Sequence, residues 1–172
     1  HIERLFVNTL SNSLSFVPKG TLDQNAEALV GYVGPDYVRI NTTTGAVQTI
    51  GALTGGYSSS GDIVSVKDGG TFLTVRGNTC SDCLLQVNPV TGNLIKNFGT
   101  VNHADVYGLT YWAGALYGFD DTGKLFQISA QGSGITTANI AIPNGTGLIW
   151  WGAGSTTSAP VVDADGGGIE IY

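Results

Sequence analysis

The chain has 172 residues, 42% of them apolar and only 12% charged, with 26 glycines and a formal net charge of −6. Seven basic residues scattered singly do not build the positive surface that a phosphate backbone demands, which argues against a nucleic-acid partner. No run of 18 apolar residues occurs, so no membrane-spanning helix is expected, and so much glycine with so little charge suits many short strands better than helices.

Residues 2–9 (IERLFVNT) read as a strand with no neighbour in sequence. The chain begins at His1 and contains no methionine, as expected of a processed product from which a signal peptide has been removed. Residues 12–25 are a polar, loosely patterned approach around a weak strand at 14–17, and 21–29 is the one stretch that suits a short helical turn. A strand at 28–33 (ALVGYV), a tight turn at 34–36 (GPD) and a strand at 37–41 (YVRIN) follow, then the turn 41–45 (NTTTG) and a strand at 46–50. The glycine that closes this turn suits a position of positive φ.

The pattern then repeats. A glycine- and serine-rich loop at 54–61 leads to strands at 61–66 and 71–75, a strand at 84–88, the turn 88–92 (NPVTG) and a strand at 93–97. Cys80 and Cys83 lie between the second and third of these strands. A zinc half-site lacks paired histidines, since only His1 and His103 are present, and a redox motif lacks its strand-to-helix context. A local disulfide stiffening the loop is the plain reading.

The next unit has a loop at 100–107 and strands at 108–112, 115–120 and 124–129, with DDTG at 120–123. It closes with a glycine-ended turn at 130–134 and a strand at 135–142. The last has a loop at 143–146, strands at 147–151, 160–162 and 169–172, and no fourth strand. Ile40, Val87, Ile128 and Ile171 mark one position of the repeat, at spacings of 47, 41 and 43 residues. A near-constant all-strand period of this size points to an all-β propeller of four blades with four antiparallel strands each. The expected blades are 12–53, 57–101, 106–142 and 146–172 plus 1–10, the N-terminal strand pairing with the C-terminal one to close the ring. The other architecture compatible with the spacing is a partial ring completed by a second copy or by further sequence.

Segments 38–45 (VRINTTTG), 85–92 (LQVNPVTG) and 114–118 (GALYG) resemble the repeats of secreted bacterial propeller proteins. The resemblance covers about three of the four units. It implies the fold and a location outside a bacterial cell or on its surface, and it brings no active site with it.

In propellers the connections between blades and the loops between second and third strands share one end. Tyr57, Asp62, Asn102, His103, Asp105 and Asn144 are therefore expected around the mouth of a central channel as ligand-binding residues. Asp36, Asp82, Asp120 and Asp121 also fall in such loops. Asp163 and Asp165 begin like a calcium loop, with oxygen ligands at alternate positions, although Gly167 stands where a third ligand is required. Calcium is the one cofactor compatible with the sequence, against the reading of an ordinary Asp-Gly turn. Tyr111, Trp112, Trp150 and Trp151 hold matching places in two inner strands and are expected to pack between blades, or to offer one Trp to a sugar ring. Residues 41–43 and 144–146 match the N-glycosylation acceptor pattern, which also arises by chance in threonine-rich loops.

These features point to a non-catalytic extracellular module that recognises a glycan, a surface component or another protein. A secreted hydrolase or lyase with His103 and Asp105 as acid and base is the alternative. The third reading is a self-assembling surface layer or filament joined through the terminal strands.

Overall fold

In the computed structural model, described over residues 13–131 and 134–161, every regular element is a strand. Twelve form three sheets of four, each an antiparallel meander in chain order. Sheet 1 holds β1 (Leu14–Val17), β2 (Ala28–Val33), β3 (Asp36–Ile40) and β4 (Val47–Ala52). Sheet 2 holds β5 (Ser58–Val66), β6 (Gly70–Gly77), β7 (Cys80–Val87) and β8 (Leu94–Thr100). Sheet 3 holds β9 (Val106–Trp112), β10 (Ala115–Asp120), β11 (Leu125–Gln131) and β12 (Gly134–Ile140). The helical turn expected at 21–29 does not form; residues 21–27 make bends, and Ala28 and Leu29 already belong to β2.

Turn chemistry explains why the meanders fold back where they do. Asn41 Oδ1 accepts from the amides of Thr43 and Thr44, both at 2.9 Å, and Asn88 Oδ1 accepts from Val90 at 2.8 Å and Thr91 at 3.1 Å. Gly45 and Gly92 then close the two turns with the same φ of 71°. Gly134, the expected counterpart in sheet 3, instead opens β12.

Sheet 2 lies between the other two, and its strands are apolar on both faces. Ile63, Leu73, Val75, Leu85 and Val87 pack towards sheet 1 with Val17, Val30, Tyr32 and Tyr37. Their neighbours Val64, Phe72 and Leu84 pack towards sheet 3 with Leu109, Tyr111, Leu116 and Phe126. Period-two alternation thus feeds two cores from one sheet. The β7–β8 turn docks on sheet 1: the Tyr32 hydroxyl donates to the Gly92 carbonyl at 2.7 Å, and that of Tyr37 to the Pro89 carbonyl at 2.8 Å. Tyr37 lies so close to Gly92 that a Cβ there would sit 2.4 Å from it.

The outer faces of sheets 1 and 3 are also apolar. In sheet 1, Phe16, Leu29, Ile40 and Val47 are directly opposite one another across all four strands, and Phe16 and Val47 are 41% and 42% exposed. In sheet 3 the matching row is Phe119, Leu125 and Ile140.

Residues 147–151 form no strand, against expectation. The next residues take the inner place instead. The Ala153 amide donates to Asp62 of β5 at 2.6 Å, Thr110 of β9 donates to the Gly154 carbonyl at 3.0 Å, and the Lys67 amide donates to the Thr157 carbonyl at 2.8 Å. Thr157 also hydrogen-bonds Glu27, the residue before β2. Segment 152–157 therefore runs beside β5 and β9 in their own direction. Bulk explains the shift: a Cβ at Gly108 would lie 3.0 Å from Gly152 and Ala153, a gap that admits Gly-Ala-Gly but not two tryptophans. The proposed pairing of residues 2–9 with 169–172 lies outside the described residues.

Candidate functional site

The connection from β8 to β9, residues 101–105, is held by carboxylates from two sheets. Asp82 of β7, 1% exposed, accepts from Ser60 Oγ at 2.7 Å and from the Asp105 amide at 2.9 Å, while its carbonyl accepts from the Val101 amide at 2.9 Å. One residue of sheet 2 thus fixes both ends of the loop. Burial pushes the Asp82 carboxyl up, against the hydrogen bond from Ser60, the Arg76 charge and the Asp105 amide. Arg76 of β6 donates from Nε to the Ser81 carbonyl at 3.2 Å and from a terminal nitrogen to Asp105 at 2.5 Å, with Asp82 at 3.8 Å. Although desolvation opposes its charge, these carboxylates hold the guanidinium above its ordinary value.

The Cys80–Cys83 disulfide is formed and encloses Ser81 and Asp82, two of the three residues that hold Arg76. It does not staple a long loop, as the sequence suggested. The cysteines stand in β7, after a two-residue turn in which Asn78 and Thr79 both have positive φ.

His103 and Asp105 do not form the acid and base pair considered above. His103 Nδ1 meets Asp120 at 3.0 Å, and its ring, 10% exposed, stacks on Phe126 at 3.6 Å. Asp120 also accepts from the Thr122 amide and hydroxyl and from the Lys124 amide. Burial works against its charge, but these hydrogen bonds and that of His103 outweigh it and hold the carboxyl below the usual range. His103 is thus a lock between the β8–β9 connection and the β10–β11 turn.

The other expected residues are dispersed. Tyr57 is buried in the core of sheets 1 and 2, its hydroxyl accepting from Asn97 at 2.9 Å. Asp62, 6% exposed, accepts from the amides of Ala153 and Leu109, and burial pushes its carboxyl up to about 6. Asn102 and Asn144 are exposed, each with positive φ in its own turn. Of the six, His103 and Asp105 share the 101–105 loop with Asn102. Asp163 and Asp165 lie outside the described residues, and among the described residues no three acidic, histidine or cysteine side chains gather as metal ligands.

Two of the four aromatics also depart from expectation. Tyr111 is buried and Trp150 meets Phe119 edge-on at 5.2 Å, but Trp112 is 56% and Trp151 75% exposed. Trp151 stacks on Tyr107, with centroids 5.8 Å apart and planes 13° apart. Tyr107 stands at the start of β9, two residues after the Asp105 that pairs with Arg76.

The surface at this end is therefore Arg76, Asp105, Tyr107 and Trp151, of which only Asp105 was singled out from sequence as a ligand residue. Arg76 carried a signal: it is the single basic residue between Lys67 and Lys96, four residues before the first cysteine. Comparison with protein-family models and with curated proteins gives no match.

Proposed function

We propose that the three sheets are successive blades of a four-bladed propeller, and that the protein is a non-catalytic extracellular binding module. Three features support the architecture. The first strands of sheets 2 and 3, β5 and β9, share a direction with segment 152–157, and β1 packs on β5. The residues that follow β1 and β5, Pro18, Lys19 and Lys67, line one cavity of about 330 Å³ together with Thr157 and Ser158. The apolar outer faces of sheets 1 and 3 are what a fourth blade, built from 146–172 and 1–10, would cover.

The binding reading is carried by one observation: the 101–105 loop is pinned from below by Asp82 and Asp120, which leaves Asp105 and Arg76 ordered but half exposed. Polar groups held in place before a ligand arrives lose little entropy on binding. In the hydrolase or lyase alternative, His103 would have to act while hydrogen-bonded to Asp120 and stacked on Phe126. Glycans, a surface component or another protein remain the ligand classes, outside the cell or on its surface. Immobilised glycans and cell-wall polymers presented to the wild-type protein, with product release followed in parallel, test this. Saturable binding without turnover is the expected outcome; turnover of any bound polymer would return the enzyme reading.

A further inference from the structure

We infer that Trp151 is the stacking platform for a neutral or amino pyranose, with Arg76 and Asp105 as its polar rim. This rests on the binding-module reading and names the ligand class. Trp151 is the most exposed large apolar side chain among the described residues. One face of its indole is held by Tyr107, and the preceding Trp150 anchors the same segment against Phe119. An exposed indole leaves its other face open, and that face matches the C–H surface of a pyranose ring in size and polarity. Tyr and Trp bring large contact area at low entropic cost, the more so when already stacked.

A stacked sugar directs its hydroxyls outward from the ring edge, where it needs donors and acceptors side by side. Arg76 and Asp105, 47% and 41% exposed in their side chains, supply both through a pair already formed at 2.5 Å. The charge balance selects among sugars. Arg76 faces two carboxylates, Asp82 and Asp105, with Asp121 joined to Asp105 through the backbone, on a chain of net charge −6. Uronic and sialic acids meet repulsion there, whereas neutral hexoses and glucosamine do not.

The test uses the full chain with cellohexaose, a glucosamine hexamer and a galacturonic acid hexamer, read by calorimetry and by tryptophan fluorescence. The wild type is expected to bind at least one of the first two and to bind galacturonate more weakly than the tighter of them. Trp151→Ala should lose at least tenfold in affinity with an unchanged melting temperature. Trp151→Tyr should retain part of the affinity, and Trp112→Ala, at the far end of β9, all of it. Wild-type affinity in Trp151→Ala, or preference for galacturonate, overturns this assignment alone. A wild-type protein that binds none of the hexamers, but does bind a protein or another polymer in the wider screen, overturns the sugar platform and leaves the binding module standing. No binding in either screen overturns both.

Discussion

Asp62 and Asp120 are both buried, yet burial prevails at one and hydrogen bonding at the other. Asp62 has two amide donors and its carboxyl is pushed up to about 6; Asp120 gathers more donors and stays below the usual range. Their effects on stability have opposite signs. The folded state holds the Asp62 proton more tightly than the unfolded chain, so its contribution is fully present below about pH 4 and is lost as pH rises through about 6. The full swing is on the order of 3 kcal/mol. Asp120 contributes above the unfolded carboxylate value and loses that contribution as pH falls through its depressed one. Urea denaturation of Asp62→Asn from pH 4 to 8 should show the variant gaining on the wild type by about 2 kcal/mol as pH rises; a constant difference would mean that Asp62 does not titrate in this range. Asp82 and Asp120 were legible in the sequence as loop residues. Their partners were not, because Ser60, Val101 and His103 reach Asp82 and Asp120 only through the packing of separate segments.

Each sheet docks on its neighbour through backbone too close for a side chain. A Cβ at Gly51 of β4 would lie 1.9 Å from the Thr91 carbonyl oxygen in the β7–β8 turn. Gly34, with a φ of 60°, has open space around it. Gly51→Ala should therefore cost more than about 2 kcal/mol through overpacking against backbone, and Gly34→Ala only about 1 kcal/mol from the left-handed conformation. Equal costs, measured by denaturant unfolding, would show that sheets 1 and 2 separate easily. The strands and turns of the first three units were legible because period-two alternation and Asn or Gly turns are local signals. The inner segment of the last unit was misplaced by five residues because its aromatic run looked like a strand, while small residues were what the crowded interior admits.

At the scale of the molecule, the sequence period anticipated the three four-stranded sheets, and the proposed ring is closed by the two chain ends. The row Phe16, Leu29, Ile40 and Val47 offers the sharpest check. If residues 1–10 belong to a blade lying on it, their removal uncovers that face. The shortened chain should then melt on the order of 5 °C lower or more, or associate as concentration rises in sedimentation. A monomer of unchanged melting temperature would remove the closed-ring proposal. The meander of sheet 2 has a further effect. It sets the 88–92 turn, held against Tyr32 and Tyr37 of sheet 1, at the far end of β7 from Arg76 and the disulfide, about 20 Å away along the strands. A tether or carrier attached at the exposed Val90 of that turn would leave Arg76 facing away from the support.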